Sequence, residues 1–178
     1  MSVPWALAAL VLAPLAAAAL AFVWPRLGRA LTLAATACVA TGLVFLVRAV
    51  LQAGTQTHAL GGWRAPLGIA LRADGLTIFM LLVTAVIAPA VALYASSYFR
   101  PTAPGGAGDQ DRAAQSGAAN KDRFFWPAYL FLWSALNALF LAQDIFNLYV
   151  TLELLGLAAV TLVALAGHRA AYNAALRY

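Results

Sequence analysis

Glu153 is the residue whose type and place in this sequence most directly imply chemistry. It stands in the apolar stretch Ile145-Phe-Asn-Leu-Tyr-Val-Thr-Leu-Glu153-Leu-Leu-Gly-Leu-Ala-Ala-Val-Thr-Leu-Val-Ala, nine residues after Asp144. As a helix with a rise of about 1.5 Å per residue, that stretch puts Glu153 roughly 13 Å beyond the turn, near the middle of a bilayer. An acid there costs about 2.5–3.5 kcal/mol on insertion scales. The cost falls where the group meets a protein interior, a file of water or a cation. It falls also when the group takes up a proton, because desolvation penalises the charged form. A buried glutamate that is costly when charged and cheap when neutral can load and release a proton, which is what a proton relay needs. The competing explanation is structural: Glu153 hydrogen-bonds a neighbouring helix and fixes bundle packing. No other carboxylate lies deep within an apolar run.

The remaining candidates are weaker. Ser134 and Asn137 share a helix face at i, i+3 and form a candidate polar path, although helix-to-helix hydrogen bonding explains them equally well. His168 follows the last apolar run, where simple solvation is the commoner role. Asn147, six residues before Glu153, points to a different face. Asp144 and Asp74 both read as helix N-caps. The sequence offers no metal-ligand constellation, no phosphate-binding glycine loop and no nucleophile–base pair. No active site for covalent chemistry and no cofactor are therefore expected. Without cysteine clusters or paired haem histidines, redox chemistry on this chain is disfavoured, although a complex containing it can be an oxidoreductase.

The elements that must position these residues follow from composition. Hydrophobic residues make up 64% of the 178 residues and charged residues 10%, with a mean hydropathy of +0.84. A soluble domain carries about 25% charged residues, so too little polar surface is present to coat a globule in water. The sequence predicts an all-α, polytopic transmembrane helix bundle forming a single membrane domain. About 20 apolar residues cross a hydrocarbon core, and five spans fit: 3–24, 31–51, 75–99, 124–142 and 145–166. Met1-Ser2-Val3-Pro4 lacks a positive n-region and the first run is too long for a signal peptide, so it reads as a retained span. Pro14 and Pro89 interrupt the first and third spans and predict kinks whose freed carbonyls neighbours can satisfy. Residues 52–73, with Gly61-Gly62-Trp63 and an alternating Leu67-Gly-Ile-Ala-Leu71, predict a short hairpin on the end of the bundle. Residues 100–123 read as a mobile cytoplasmic linker. The lone Cys38 lies within an apolar run and has a packing role.

Basic residues set the orientation. With the N-terminus outside, eight of them (Arg26, Arg29, Arg100, Arg112, Lys121, Arg123, Arg169 and Arg177) fall on the cytoplasmic side and three (Arg48, Arg64 and Arg72) on the outer side, as the positive-inside rule requires. Trp24, Trp63, Tyr98 and Trp126 fall near span ends, where amphipathic rings favour the interface. The net charge of +5 has this use, and nucleic acid is not an expected partner. Ten arginines against one lysine point to a GC-rich bacterial source and hence a bacterial inner membrane.

The run Asp144-Ile-Phe-Asn-Leu-Tyr-Val-Thr-Leu-Glu153-Leu-Leu resembles the fifth-helix signature of the proton-conducting, antiporter-like subunits of respiratory complex I, membrane-bound hydrogenases and Mrp-type cation/proton antiporters. Gly61-Gly62-Trp63 through Ala73-Asp74-Gly75-Leu76 is similar to the stretch before that family's third helix. Asn173-Ala-Ala-Leu-Arg177-Tyr178 looks like the approach to its sixth helix, where lysine is commoner than Arg177. The resemblance covers roughly Ala59 to Tyr178. It implies that Glu153 is the helix-five glutamate, which in the family modulates the protonation of a lysine two helices later. It also implies other membrane subunits as partners, and protons, with sodium as a second ion, as the transported species. Family subunits have about fourteen helices built around two inverted repeats. Only the N-terminal portion is matched, so a fragment, a truncated product or half of a split subunit is expected. The expected function is that of a proton-translocating subunit with Glu153 as its protonatable element. The alternative is a structural or assembly subunit that does not transport.

Overall fold

The computed structural model describes residues 3–62, 68–99, 109–167 and 169–177. Six helices and one hairpin follow one another along the chain: α1 (Val3–Val23), α2 (Gly28–Ala53), β1 (Gln56–Ala59), β2 (Ala70–Ala73), α3 (Gly75–Tyr98), α4 (Asp109–Leu141), α5 (Ile145–Ala164) and α6 (Arg169–Arg177). Five helices are long and apolar enough to cross a membrane, over Val3–Val23, Pro25–Ala53, Gly75–Tyr98, Lys121–Leu141 and Ile145–Ala164. The chain is thus a multi-pass, all-α membrane bundle.

The core lies between α1, α2, α3 and α4. Leu7 and Leu10 of α1, Leu43 and Leu46 of α2, Leu81 of α3 and Leu130 of α4 are at most 3% exposed. Helix α1 is central and packs against both α2 and α4. A turn at Pro25–Leu27 reverses the chain between α1 and α2. At Gly28 the backbones of α2 and α4 come so close that an added Cβ would sit 2.8 Å from Cβ of Trp126. Only glycine fits that contact.

The expected hairpin is present as an antiparallel pair with Gln56 opposite Ala73 and His58 opposite Leu71. Leu71 and Ala73 turn inward while Arg72 is exposed, the alternation of a half-buried strand. Gly54, at φ 76°, ends α2 and turns the chain into β1. The hairpin also braces the α4–α5 turn, since Leu71 bridges Ala142 and the Gln143 N–H donates to the Ala70 carbonyl at 3.1 Å. At the opposite end Arg29 reaches Asp122 at 3.7 Å and donates to the Phe99 carbonyl, and Lys121 Nζ donates to the Ala166 carbonyl at 2.9 Å. Arg26, Arg29, Lys121 and Arg123 gather there.

One expectation needs correction. The linker expected over 100–123 is helical from Asp109 onward, continuous with the fourth span; residues 100–108 lie outside the described residues. A polar segment rich in alanine and long side chains propagates a helix readily once a membrane span has supplied the nucleus. Trp126 stands near the start of the Lys121–Leu141 span, where it is 2% exposed, packs against Gly28, and donates from Nε1 to Asp122 at 2.8 Å. Trp24, by contrast, is 55% exposed. Trp63 lies outside the described residues.

Candidate functional site

Helix α5 begins at a capped end. The Asp144 carboxylate accepts from the Asn147 N–H at 2.7 Å, the N-cap arrangement expected of it. Asp74 caps α3 in the same way, accepting from the Thr77 N–H at 3.0 Å. The two caps lie at the same end of the bundle, joined through the hairpin and through Thr77 Oγ1, which donates to the Phe140 carbonyl. The Thr77 N–H holds the Asp74 carboxyl below the usual carboxylate range, helped by the Thr77 hydroxyl and by Arg72 at 3.5 Å.

Only one face of α5 meets the bundle. Its buried residues are Asn147, Thr151 and Ala158. At about 100° per residue, Glu153 stands roughly 200° from Thr151 and 140° from Ala158, on the far side of the helix. Glu153 is accordingly exposed, in a stripe with Ile145, Tyr149 and Leu157. This corrects the expectation of a buried glutamate: the described helices do not enclose it. The reason is lateral packing. Helix α5 leans on α4 at the rim of the bundle and contributes no fully buried residue to the main core. The depth of Glu153 along the helix is as expected, eight residues past the first residue of α5, about 12 Å along the axis. The Tyr149 hydroxyl donates to Glu153 Oε1. Among the described residues no basic side chain pairs with the carboxylate. Tyr149 was not singled out from sequence, although its i−4 spacing from Glu153 is a signal that was available.

Ser134 and Asn137 come together, but not with Glu153. Both are buried on the face of α4 that meets α1. Pro14 has no N–H, so the Leu10 carbonyl one turn earlier loses its helical donor. Asn137 Nδ2 donates to that carbonyl at 2.8 Å, and Ser134 Oγ donates to the Val11 carbonyl at 2.9 Å. The pair clamps α4 to α1 at Pro14. Asn137 Oδ1 and Trp133 Nε1, one turn apart on α4, remain buried without a partner. Beside Pro89 of α3, the Tyr129 hydroxyl donates to the Ala88 carbonyl. His168 lies outside the described residues. Among those described, no group of three or more His, Cys, Asp or Glu residues is placed to hold a metal ion.

Glu153 thus stands about 12 Å along α5, with the Tyr149 hydroxyl donating to it and no fixed cation beside it among the described residues. No family model matches the chain, but individual relatives do. It is 35% identical over 146 residues to the D subunit of the Na(+)/H(+) antiporter of Bacillus subtilis, covering 80% of this chain and 26% of the relative. It is 31% identical over 136 residues to the protein of the same name from Alkalihalophilus pseudofirmus, covering 76% and 24%. It is also 31% identical over 145 residues to the N subunit of the NADH-quinone oxidoreductase of Desulforudis audaxviator, covering 82% and 26%. The chain spans about a quarter of the length of these relatives. With two kinds of subunit matched over most of its own length, the chain belongs to the antiporter-like family of membrane subunits.

Proposed function

We propose that this chain is the N-terminal part of a proton-translocating, antiporter-like subunit in a multisubunit membrane complex of the Mrp or complex I kind, and that Glu153 is its protonatable element. The observation that carries the reading is a single glutamate at mid-membrane depth on a helix face the bundle leaves open. In hydrocarbon its charged form costs about 2.5–3.5 kcal/mol. That cost favours either proton uptake or a second protein surface against the Tyr149–Glu153 stripe. Further helices of the same subunit, or a neighbouring subunit, supply that surface and the rest of the ion path. The orientation, with the N-terminus outside and the Arg26, Arg29, Lys121 and Arg123 end toward the cytoplasm of a bacterial inner membrane, follows the positive-inside rule.

The test is cation/proton exchange by the whole subunit in its complex, with Glu153→Gln and Glu153→Ala. Both variants are expected to lose most exchange while still assembling. Undiminished exchange in both would remove the proposal. The exposure of Glu153 also favours a second reading, an assembly contact without transport. On that reading Glu153→Gln exchanges ions normally and Glu153→Leu fails to assemble.

A further inference from the structure

A groove of about 830 Å³ runs between α1, α4, α5 and the start of α6. Its walls include Ala19 and Phe22 of α1, Phe131 of α4, Thr161 and Ala164 of α5, and Tyr172 of α6, and they are almost wholly apolar. All these residues belong to the half of the bundle that ends in the basic cluster. Phe124, at the mouth, carries the Arg123 guanidinium 5.6 Å above its ring. Lys121 stands beside it, spending one hydrogen on the Ala166 carbonyl next to the lining residue Leu165 and keeping two for another acceptor. Asp122, the one acid placed here among the described residues, is engaged by Arg29 and Trp126. An apolar trough in one leaflet with uncompensated cations at its lip matches an amphiphile with an acyl tail and an anionic head. The volume lies within the range of about 300–1,000 Å³ typical of ligand pockets.

We infer that this groove binds one anionic phospholipid of the basic-side leaflet, with an acyl chain along α1, α4 and α5 and its phosphate at Lys121 and Arg123. An apolar helix from another polypeptide would fill the trough but leave those cations unmatched. Basic side chains near a membrane surface select anionic lipids by about 1 kcal/mol each, and two of them predict a preference of about thirtyfold.

The experiment uses the whole subunit in its complex, delipidated in detergent and offered phosphatidylglycerol or phosphatidylcholine of matched chains, with bound lipid counted by native mass spectrometry. Phosphatidylglycerol is expected to bind about thirtyfold more tightly. Lys121→Gln with Arg123→Gln is expected to reduce that preference to within twofold. Ala19→Phe with Ala164→Phe, which places rings in the trough, is expected to abolish retention of both lipids. Because those variants can misfold, the unsubstituted chain is also labelled with a phosphatidylglycerol carrying a photoreactive acyl chain, and the adducts are expected on Phe131, Val160 or Thr161. Equal binding of the two lipids, adducts spread over the outer faces of α3 and α5 instead, or a groove closed by a second copy of the chain without lipid would each overturn the inference.

Discussion

Replacing Asn137 with leucine tests the clamp between α4 and α1 at Pro14. The substitution keeps the side chain's branching and removes the donor that reaches the Leu10 carbonyl at 2.8 Å. That carbonyl lost its helical partner to Pro14, so the variant leaves a buried acceptor unmade, at a cost of about 1–3 kcal/mol. Part is returned, because Asn137 Oδ1 is itself buried without a partner and disappears with the substitution. Interhelical hydrogen bonds in membranes average about 0.6 kcal/mol and reach about 1.7. The expected loss is therefore about 1–2 kcal/mol. The decisive comparison is with Pro14→Ala, which restores an N–H to the Leu10 carbonyl. In that background Asn137→Leu is expected to cost under about 0.5 kcal/mol, a coupling of about 1 kcal/mol between residues 123 positions apart in the chain. Unfolding of the four variants in mixed micelles under increasing SDS measures the cycle. Strict additivity would refute the claim that Asn137 serves the carbonyl Pro14 exposes.

Two further predictions concern the frame that holds α4 and the hairpin. Gly28→Ala forces a Cβ to within 2.8 Å of Trp126, so overpacking is expected to cost about 1–3 kcal/mol in the same assay; an unchanged midpoint would show that α2 and α4 are not that close. Asp74→Ala removes an N-cap and is expected to cost about 1 kcal/mol. The Asp74 carboxyl is held below its ordinary range in the folded chain, so its ionic contribution is fully present above the unfolded carboxylate range, near pH 3.9, and is lost as pH falls through the lower folded value. Asp74→Asn, which still caps, is expected to flatten that acid limb of a stability-against-pH curve, and an unaltered limb would contradict the assignment.

What could be read from sequence was whatever depends on distance along the chain. Span lengths, both aspartate caps, the presence of the hairpin and the depth of Glu153 all follow from periodicity and rise. Lateral placement did not. Hydropathy reports transfer out of water, and lipid and protein satisfy it equally, so nothing in the apolar residues of α5 says which face meets α4. That is why Glu153 was expected inside and stands outside. Asn147 and Thr151 mark the true contact face, and they were legible only as polar residues of uncertain use. The pairing of Asn137 with α1 at Pro14 was equally hidden, because the proline announces a freed carbonyl without naming the residue that reaches it. The helicity of 109–123 was missed because its composition reads as a linker when judged apart from the span that continues it.

Glu153 is the only glutamate among these 178 residues, and in the whole subunit the difference between 13C-carboxyl-glutamate-labelled protein with and without Glu153→Gln isolates this one group. Infrared difference spectra of the labelled subunit in bilayers, taken across the pH range in which cation/proton exchange runs, report whether it changes protonation state. If Glu153 is the protonatable element, the labelled carboxylate and carboxylic acid bands interconvert reversibly within that range. A label that stays in one form throughout contradicts that role.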